Sequence, residues 1–392
     1  MLNYDLIIIG AGPAGISTAL HLAQMAPELV PRTLILEKAV HPRHKLCGGG
    51  LLADAEFILQ GLGLDASEIP HVDVDWARFD FEGRGMRMRA EKVAAYAFRT
   101  IRRHEFDAWL ANKARERGFR ILEDTRATGI RLLEQEVQVL TSKGTFRALV
   151  VVGADGSSSV VRRAVIPVEE LHVARLLEVV TPAHPEKSFH RQQDSYFDFL
   201  VVPQGIQGYT WDFPALEAGH PIRVRGIFDA NLHPGNKKVP LQTALQQELE
   251  RHGQNLSTEK LEGAPLRWFS AHSKFASPRL LLAGDAAGGD ALFGEGISVA
   301  LGYGQLAATA IRDAFARQDF SMRTYKADIL RSSLGRALRR RTWLAHLYYR
   351  LHWSWFQALA WRRMGWLIAW LMRSFIIGWA KRGKEPPRRF TS

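Results

Sequence analysis

The first forty residues constrain the fold more than any other stretch of the chain. Leu6-Ile7-Ile8-Ile9 is an apolar run without alternation, the pattern of a strand buried on both faces. Gly10-Ala11-Gly12-Pro13-Ala14-Gly15 follows at once, and Ile16 to Met25 continues as a helix. Thr33-Leu34-Ile35-Leu36 is a second buried strand that ends in Glu37, a carboxylate 22 residues past Gly15. Strand, glycines, helix, strand and acid in this order predict a Rossmann-like α/β domain that holds an adenine dinucleotide. Glycines at 10, 12 and 15 serve the tight turn, backbone approach to a pyrophosphate and close helix packing. The helix N-terminus offers donors and positive potential to phosphate, and Glu37 falls where ribose hydroxyls are expected.

A few residues on, Arg43-His44-Lys45-Leu46-Cys47-Gly48-Gly49-Gly50 holds the only cysteine. Three consecutive glycines let a backbone run flush against a flat ligand, so this is the expected active-site loop. The thiol is either a proton carrier or a small buried apolar residue. A lone cysteine excludes an intrachain disulfide and fits a reducing cytoplasm. The start of the chain enters a strand at Asp5-Leu6 and shows no secretory signal. His41-x-x-His44-x-x-Cys47 has ligand-like spacing, but no second Cys/His cluster completes a four-ligand set, and no metal is expected.

Two later stretches repeat the design of a buried strand ending in an acid. Ala148 to Val152 runs into Gly153-Ala154-Asp155-Gly156-Ser157, and Leu280-Leu281-Leu282 into Ala283-Gly284-Asp285. Each aspartate can accept hydrogen bonds from ribose or ribityl hydroxyls or orient backbone near a pyrophosphate. Gly294-Glu295-Gly296 then precedes a helix expected from Ile297 to about Ala316, whose N-terminus would stabilise an anion on the ring of a bound cofactor.

Alternating runs within residues 72–89 and 171–275 predict an antiparallel sheet inserted into this domain. Tyr209, Trp211 and Phe213 alternate at strand spacing between Pro203 and Pro214, which puts their rings on one face. The expected organisation is a nucleotide-binding domain from residues 1–71, 93–168 and 276–330, a substrate domain from 72–92 and 169–275, and a C-terminal helical appendage, 331–392.

The net charge of +12 is confined to that appendage. Residues 331–392 carry 14 Lys and Arg against one acid, Glu385, which leaves 38 against 39 for the remainder. The same residues hold seven of the eleven tryptophans, and Trp, Tyr and Arg together are the chemistry of a membrane interface. Trp366 to Ala380 is apolar for 15 residues and contains Arg373, short of the roughly 20 needed to span. A helix in the headgroup plane is therefore expected, the alternative being helices packed on their own protein or on a second subunit. No nucleic-acid-binding motif accompanies the basic region, and nucleic acid is not an expected partner. The basic end, Lys381 to Arg389, is expected to be mobile.

The GAGPAG start, Arg103-x-x-Phe106-Asp107, GADGSSSVVR from Gly153 and GDAAGG from Gly284 resemble the FAD-dependent oxidoreductases of the p-hydroxybenzoate hydroxylase fold. Within that superfamily, Lys45 to Leu51, Tyr209 to Pro214 and Gly294-Glu295-Gly296-Ile297 resemble the geranylgeranyl reductase branch, over about residues 4–315. The resemblance implies FAD contacts from Gly10, Gly12, Gly15, Glu37, Arg103, Asp155 and Asp285. Pro13, Ala14, Lys38, Lys45, Cys47, Gly48, Gly49, Gly156, Gly284, Gly294, Gly296 and Ile297 are expected to join them. Gly50, Leu51, Tyr209, Trp211 and Phe213 are expected beside the substrate. Family members often carry a proline shortly before Gly-Glu-Gly, where this chain has Leu292-Phe293.

The implied reaction is saturation of an isolated C=C bond in a prenyl lipid, with hydride from reduced FAD and a proton from a nearby acid, for which Cys47 is the candidate. No second GxGxxG marks an NAD(P)H domain, so the electron donor is either transient NAD(P)H or a protein. A prenyl lipid must be taken from a bilayer, which implies a cytoplasmic protein held peripherally on the inner face of a membrane. The competing readings are a flavin monooxygenase or halogenase of the same fold and, from another class, a membrane-associated flavin-binding protein without turnover.

Overall fold

Register places the glycine turns and the acidic strand ends along one edge of a sheet. The computed structural model describes residues 3–89, 96–167, 173–183, 193–256 and 260–382. The strand Asn3–Ile9 lies between Gly144–Gly153 and Thr33–Leu36, parallel to both, with Ile8 opposite Val152 on one side and Ile35 on the other. Leu280–Leu282 extends the parallel set beyond Gly144–Gly153, and Arg120–Leu122 extends it beyond Thr33–Leu36. Because these strands end together, Gly10 N donates to Leu36 O at 2.7 Å, Ala154 N to Ile9 O at 2.8 Å and Ala283 N to Gly153 O at 2.9 Å. Gly10, Glu37, Asp155 and Asp285 thus gather at the carboxyl edge, where open α/β sheets bind their ligands. The helices Pro13–Met25 and Ile297–Arg317 pack together above it, and the apolar strand residues are the core.

Among the described residues the second sheet has seven strands in the order Glu262–Arg267, Val173–Pro182, His220–Asp229, Gly208–Glu217, Ser195–Asp198, Ala77–Phe81 and Arg84–Met88. It is antiparallel apart from the contact between Ser195–Asp198 and Ala77–Phe81. One face covers the helix Leu241–Arg251 through Val179, Ile227 and Leu245, and the other carries the aromatic residues. Residues 72–74, expected in this sheet, pair instead with Phe98–Ile101 in a small sheet that also takes Gly50–Leu51. The domain boundaries expected at 92 and 168 lie outside the described residues.

The C-terminal residues form part of the body. After the helix Ser333–Tyr348 come five short helical runs, Ser354–Ala358, Leu359–Arg363, Gly365–Leu371, Met372–Ile376 and Trp379–Arg382. The single interfacial helix expected over Trp366 to Ala380 is therefore broken. Two of the runs are π-helical turns. Trp361 stacks on Phe199 at 4.1 Å between ring centroids, and Met372, Ile376 and Trp379 are buried. No helix among the described residues is long and apolar enough to cross a membrane. The basic end beyond residue 382 lies outside the described residues.

Candidate active site

Both sheets open onto one cavity of about 520 Å³, within the range of small-molecule and cofactor sites. Its polar half is the carboxyl edge of the parallel sheet. Gly10 turns with φ +105°, and a Cβ there would sit 2.3 Å from Ala154 O, so only glycine lets the two strand ends meet. Glu37 braces the turn: Oε2 accepts from Ala11 N at 2.9 Å and Oε1 from Ala39 N at 3.1 Å. Asp155 Oδ2 accepts from Val160 N at 2.7 Å. Gly12, Pro13, Ala14, Lys38, Gly156, Asp285, Gly294, Gly296 and Ile297 line the same half. Gly15 and Gly284 do not. They pack beneath the turns against Gly10 and Ala14.

The loop of Lys45, Cys47, Gly48, Gly49 and Gly50 divides this half from an apolar one. Tyr209, Trp211 and Phe213 form the far wall with Phe197 and Phe228. The Tyr209 hydroxyl donates to Phe293 O, which ties the wall to the turn before Gly294. Phe293 adds its ring to the cavity beside Tyr209 and Phe79. Leu51 corrects an expectation. It points away from the cavity into the core of the first domain and is fully buried, because strand alternation beyond Gly50 turns it to the opposite face.

Sequence reasoning missed the ionic supports. Asp107 is fully buried and accepts from Arg103 Nε and Nη2, both at 2.8 Å, while Arg43 Nη2 reaches it at 3.0 Å. Arg103 also neighbours Cys47. Burial opposes its charge, but Asp107 holds the guanidinium above its ordinary value. The i,i+4 spacing of Arg103 and Asp107 was a readable signal, whereas Arg43 reaches the pair only through the fold. On the opposite side, buried Arg341 pairs with Asp290 and Glu295 and donates to Ile376 O at 2.8 Å. Met372, Ile376 and Ile377 of the C-terminal segment line the cavity, so the expected appendage closes it. His41 and His44 go to separate carboxylates, Glu123 at 2.7 Å and Glu262 at 2.6 Å. Among the described residues no group of three or more potential metal ligands gathers.

Glu178 is buried on Val173–Pro182, close to the Cys47 N–H. Burial pushes its carboxyl up to about 7, against the pull of Arg102 and of that N–H. A carboxyl raised on folding binds its proton more tightly in the folded state, so stability falls as pH rises from about 4.5 to about 7 and stays lower above. The loss from this group is on the order of 3 kcal/mol. Urea unfolding of Glu178→Gln across that range is expected to lack this component, so the variant gains on the parent as pH rises. A constant difference would remove Glu178 as its source.

The cavity residues fit a flavin dinucleotide. Asp155 Oδ1 is buried without a protein partner, as are Trp211 Nε1 and Glu295 Oε1, and all three residues line the cavity. Such atoms are costly unless a ligand completes them, and Asp155 lies beside a glycine turn able to take a pyrophosphate. Fold and site together are those of an FAD-dependent oxidoreductase. The chain belongs to the FAD binding domain family, which matches residues 3–289.

Three relatives match most of the chain. An uncharacterized protein of Methanosarcina barkeri is 29% identical, covering 84% of this chain and 81% of the relative. The digeranylgeranylglycerophospholipid reductase of Methanosarcina acetivorans is 26% identical over 81% and 77% of the two chains. A menaquinone reductase of Mycobacterium tuberculosis is 28% identical over 78% and 75%. Among solved structures, a geranylgeranyl bacteriochlorophyll reductase-like protein of Thermoplasma acidophilum superposes with TM-score 0.73 at 21% identity, covering 98% and 97%. A mutant of halogenase PltM in complex with FAD gives 0.72 at 17% identity, covering 95% and 81%. These two likenesses are of fold.

Proposed function

We propose that the protein saturates isolated C=C bonds in the prenyl chain of a lipid. The observation that carries this reading is the single cavity in which a dinucleotide-fitting polar half meets an aromatic, apolar half at the Cys47 loop. The digeranylgeranylglycerophospholipid and menaquinone reductases, whose named substrates carry prenyl chains, support the substrate class. When bound, reduced FAD supplies the hydride. The polar half, with Glu37, Asp155 and the glycine turn, holds the dinucleotide, and Tyr209, Trp211 and Phe213 hold the chain and exclude water. Cys47, beside Arg103 and facing the cavity, delivers the proton from Sγ to the second carbon. NAD(P)H or an electron-carrier protein restores the reduced state. A bilayer-held substrate also gives the protein a place on the cytoplasmic face of a membrane.

The test is anaerobic. The flavin-loaded protein is reduced with dithionite, geranylgeranyl lipid is added in detergent, and flavin reoxidation is followed with product mass. Reoxidation with two hydrogens gained per bond is the expected result. A flavin that stays reduced until oxygen enters, with a product heavier by one oxygen, makes the protein a monooxygenase. No donor-driven reduction and no product leaves a flavin-binding protein without turnover. In the same assay Cys47→Ala is expected to slow reoxidation about a hundredfold or more with flavin content unchanged. A parental rate confines Cys47 to shaping the pocket.

A further inference from the structure

Twelve large apolar side chains stand out as exposed among the described residues, and seven of them fall within residues 353–371. Trp366 is 75% exposed, Trp355 64% and Trp370 55%, with Trp353, Met364 and Leu371 beside them in sequence. The chain has no acid from 331 to 382 but eleven Lys and Arg, of which Arg350, Arg363, Arg373, Lys381 and Arg382 are exposed around this stretch. The other side of the same segment is fixed to the protein. Trp361 stacks on Phe199 and Phe79, Arg362 pairs with Glu82, and the run continues into Met372 and Ile376 in the cavity wall. Beyond them, Asp54 accepts Gly378 N at 2.9 Å and Ala380 N at 2.7 Å, which holds the far end down.

We infer that the outer surface of residues 353–371 docks onto an anionic lipid bilayer and sets the apolar half of the cavity against the membrane. Exposed tryptophan with a cationic surround matches the headgroup layer of anionic lipid. A second copy of the chain is a poorer occupant, because two such segments, which carry no acid of their own, would bring like charges together. The short runs lie on the protein, so the segment rests on the bilayer without spanning it. Delivery of a prenyl chain to the cavity rests on the proposed function, whereas docking does not.

Co-sedimentation of the full, flavin-loaded chain with phosphatidylcholine vesicles, with and without phosphatidylglycerol, tests the docking. Binding roughly tenfold tighter to the anionic vesicles, weakened by salt, is expected. The double variant Trp355→Ser with Trp366→Ser, altered only at exposed positions, is expected to lose most of that binding while keeping its flavin. It is also expected to lose turnover of vesicle-embedded prenyl lipid but not of a detergent-dispersed one. Equal binding of parent and double variant, or no preference for anionic vesicles, overturns the proposal. A parental dimer that the double variant converts to monomer also overturns it and assigns the face to a second copy. Vesicle binding by a protein with no prenyl turnover in either form leaves the docking intact and removes the reductase reading.

Discussion

Asp107→Asn is expected to lower the stability of the protein by about 3–5 kcal/mol, a large share of the roughly 5–15 kcal/mol that holds a domain folded. The carboxylate is the shared counter-charge of two guanidiniums, and the side chains of Asp107, Arg103 and Arg43 are 0%, 10% and 14% exposed. Asparagine preserves the shape and one acceptor but leaves two desolvated cations with a neutral partner. Arg43 retains only a longer approach to Glu37, at 3.5 Å. Asp73→Asn is the control. Its pair with Arg99 is partly solvated, the aspartate being 46% exposed, and such pairs contribute about 0–1 kcal/mol. Urea unfolding of the two variants beside the parent measures the contrast. A loss below about 1 kcal/mol for Asp107→Asn would falsify the view that this carboxylate is the main support of the two cations.

The sequence revealed those parts of the fold and site whose chemistry is local. A buried strand, a glycine turn and an acid succeed one another within a few residues around Gly10, Asp155 and Asp285, so pattern alone places them at strand ends. Once strands are parallel and in register, their ends meet. Leu51 was misplaced because a glycine run does not tell which face the next side chain takes. Residues 72–74 were misassigned because alternation identifies a strand but not its partner. The C-terminal region shows the limit more fully. Its composition indicated an aromatic, basic surface, and the structure does expose Trp355 and Trp366. It also buries Trp361, Met372, Ile376 and Trp379, and π-helical turns remove the 3.6-residue period that would have separated the two sets. Arg341 could not be found at all. Its partners Asp290 and Glu295 lie about fifty residues away and meet it only after the helix Ser333–Tyr348 packs back.

The three glycines of the Cys47 loop are expected to respond to alanine in a steep order that the geometry sets. A Cβ on Gly50 would come no closer than 3.6 Å, to Phe98, which is ordinary contact, and Gly50→Ala should keep near-parental activity. On Gly48 it would meet Trp211 Nε1 at 3.1 Å and the Phe213 ring at 3.2 Å, so two wall residues must yield slightly and an intermediate loss follows. Gly49 has φ +81°, and its Cβ would lie 2.1 Å from Ile101 O. A left-handed alanine costs about 1–2 kcal/mol, and the carbonyl cannot turn aside, because it belongs to the strand Phe98–Ile101. Ile101 N also donates to Gly49 O at 3.0 Å, so the loop itself must lift, carrying Cys47 away from the aromatic wall. A displacement of about 1 Å at a reacting centre costs on the order of a hundredfold in rate, and that is the loss expected for Gly49→Ala. The anaerobic reoxidation rate with prenyl lipid reads the series, and flavin absorbance separates lost chemistry from lost cofactor. Equal activity of all three variants would mean that the loop moves freely and that its approach to Trp211 and Phe213 plays no part in catalysis.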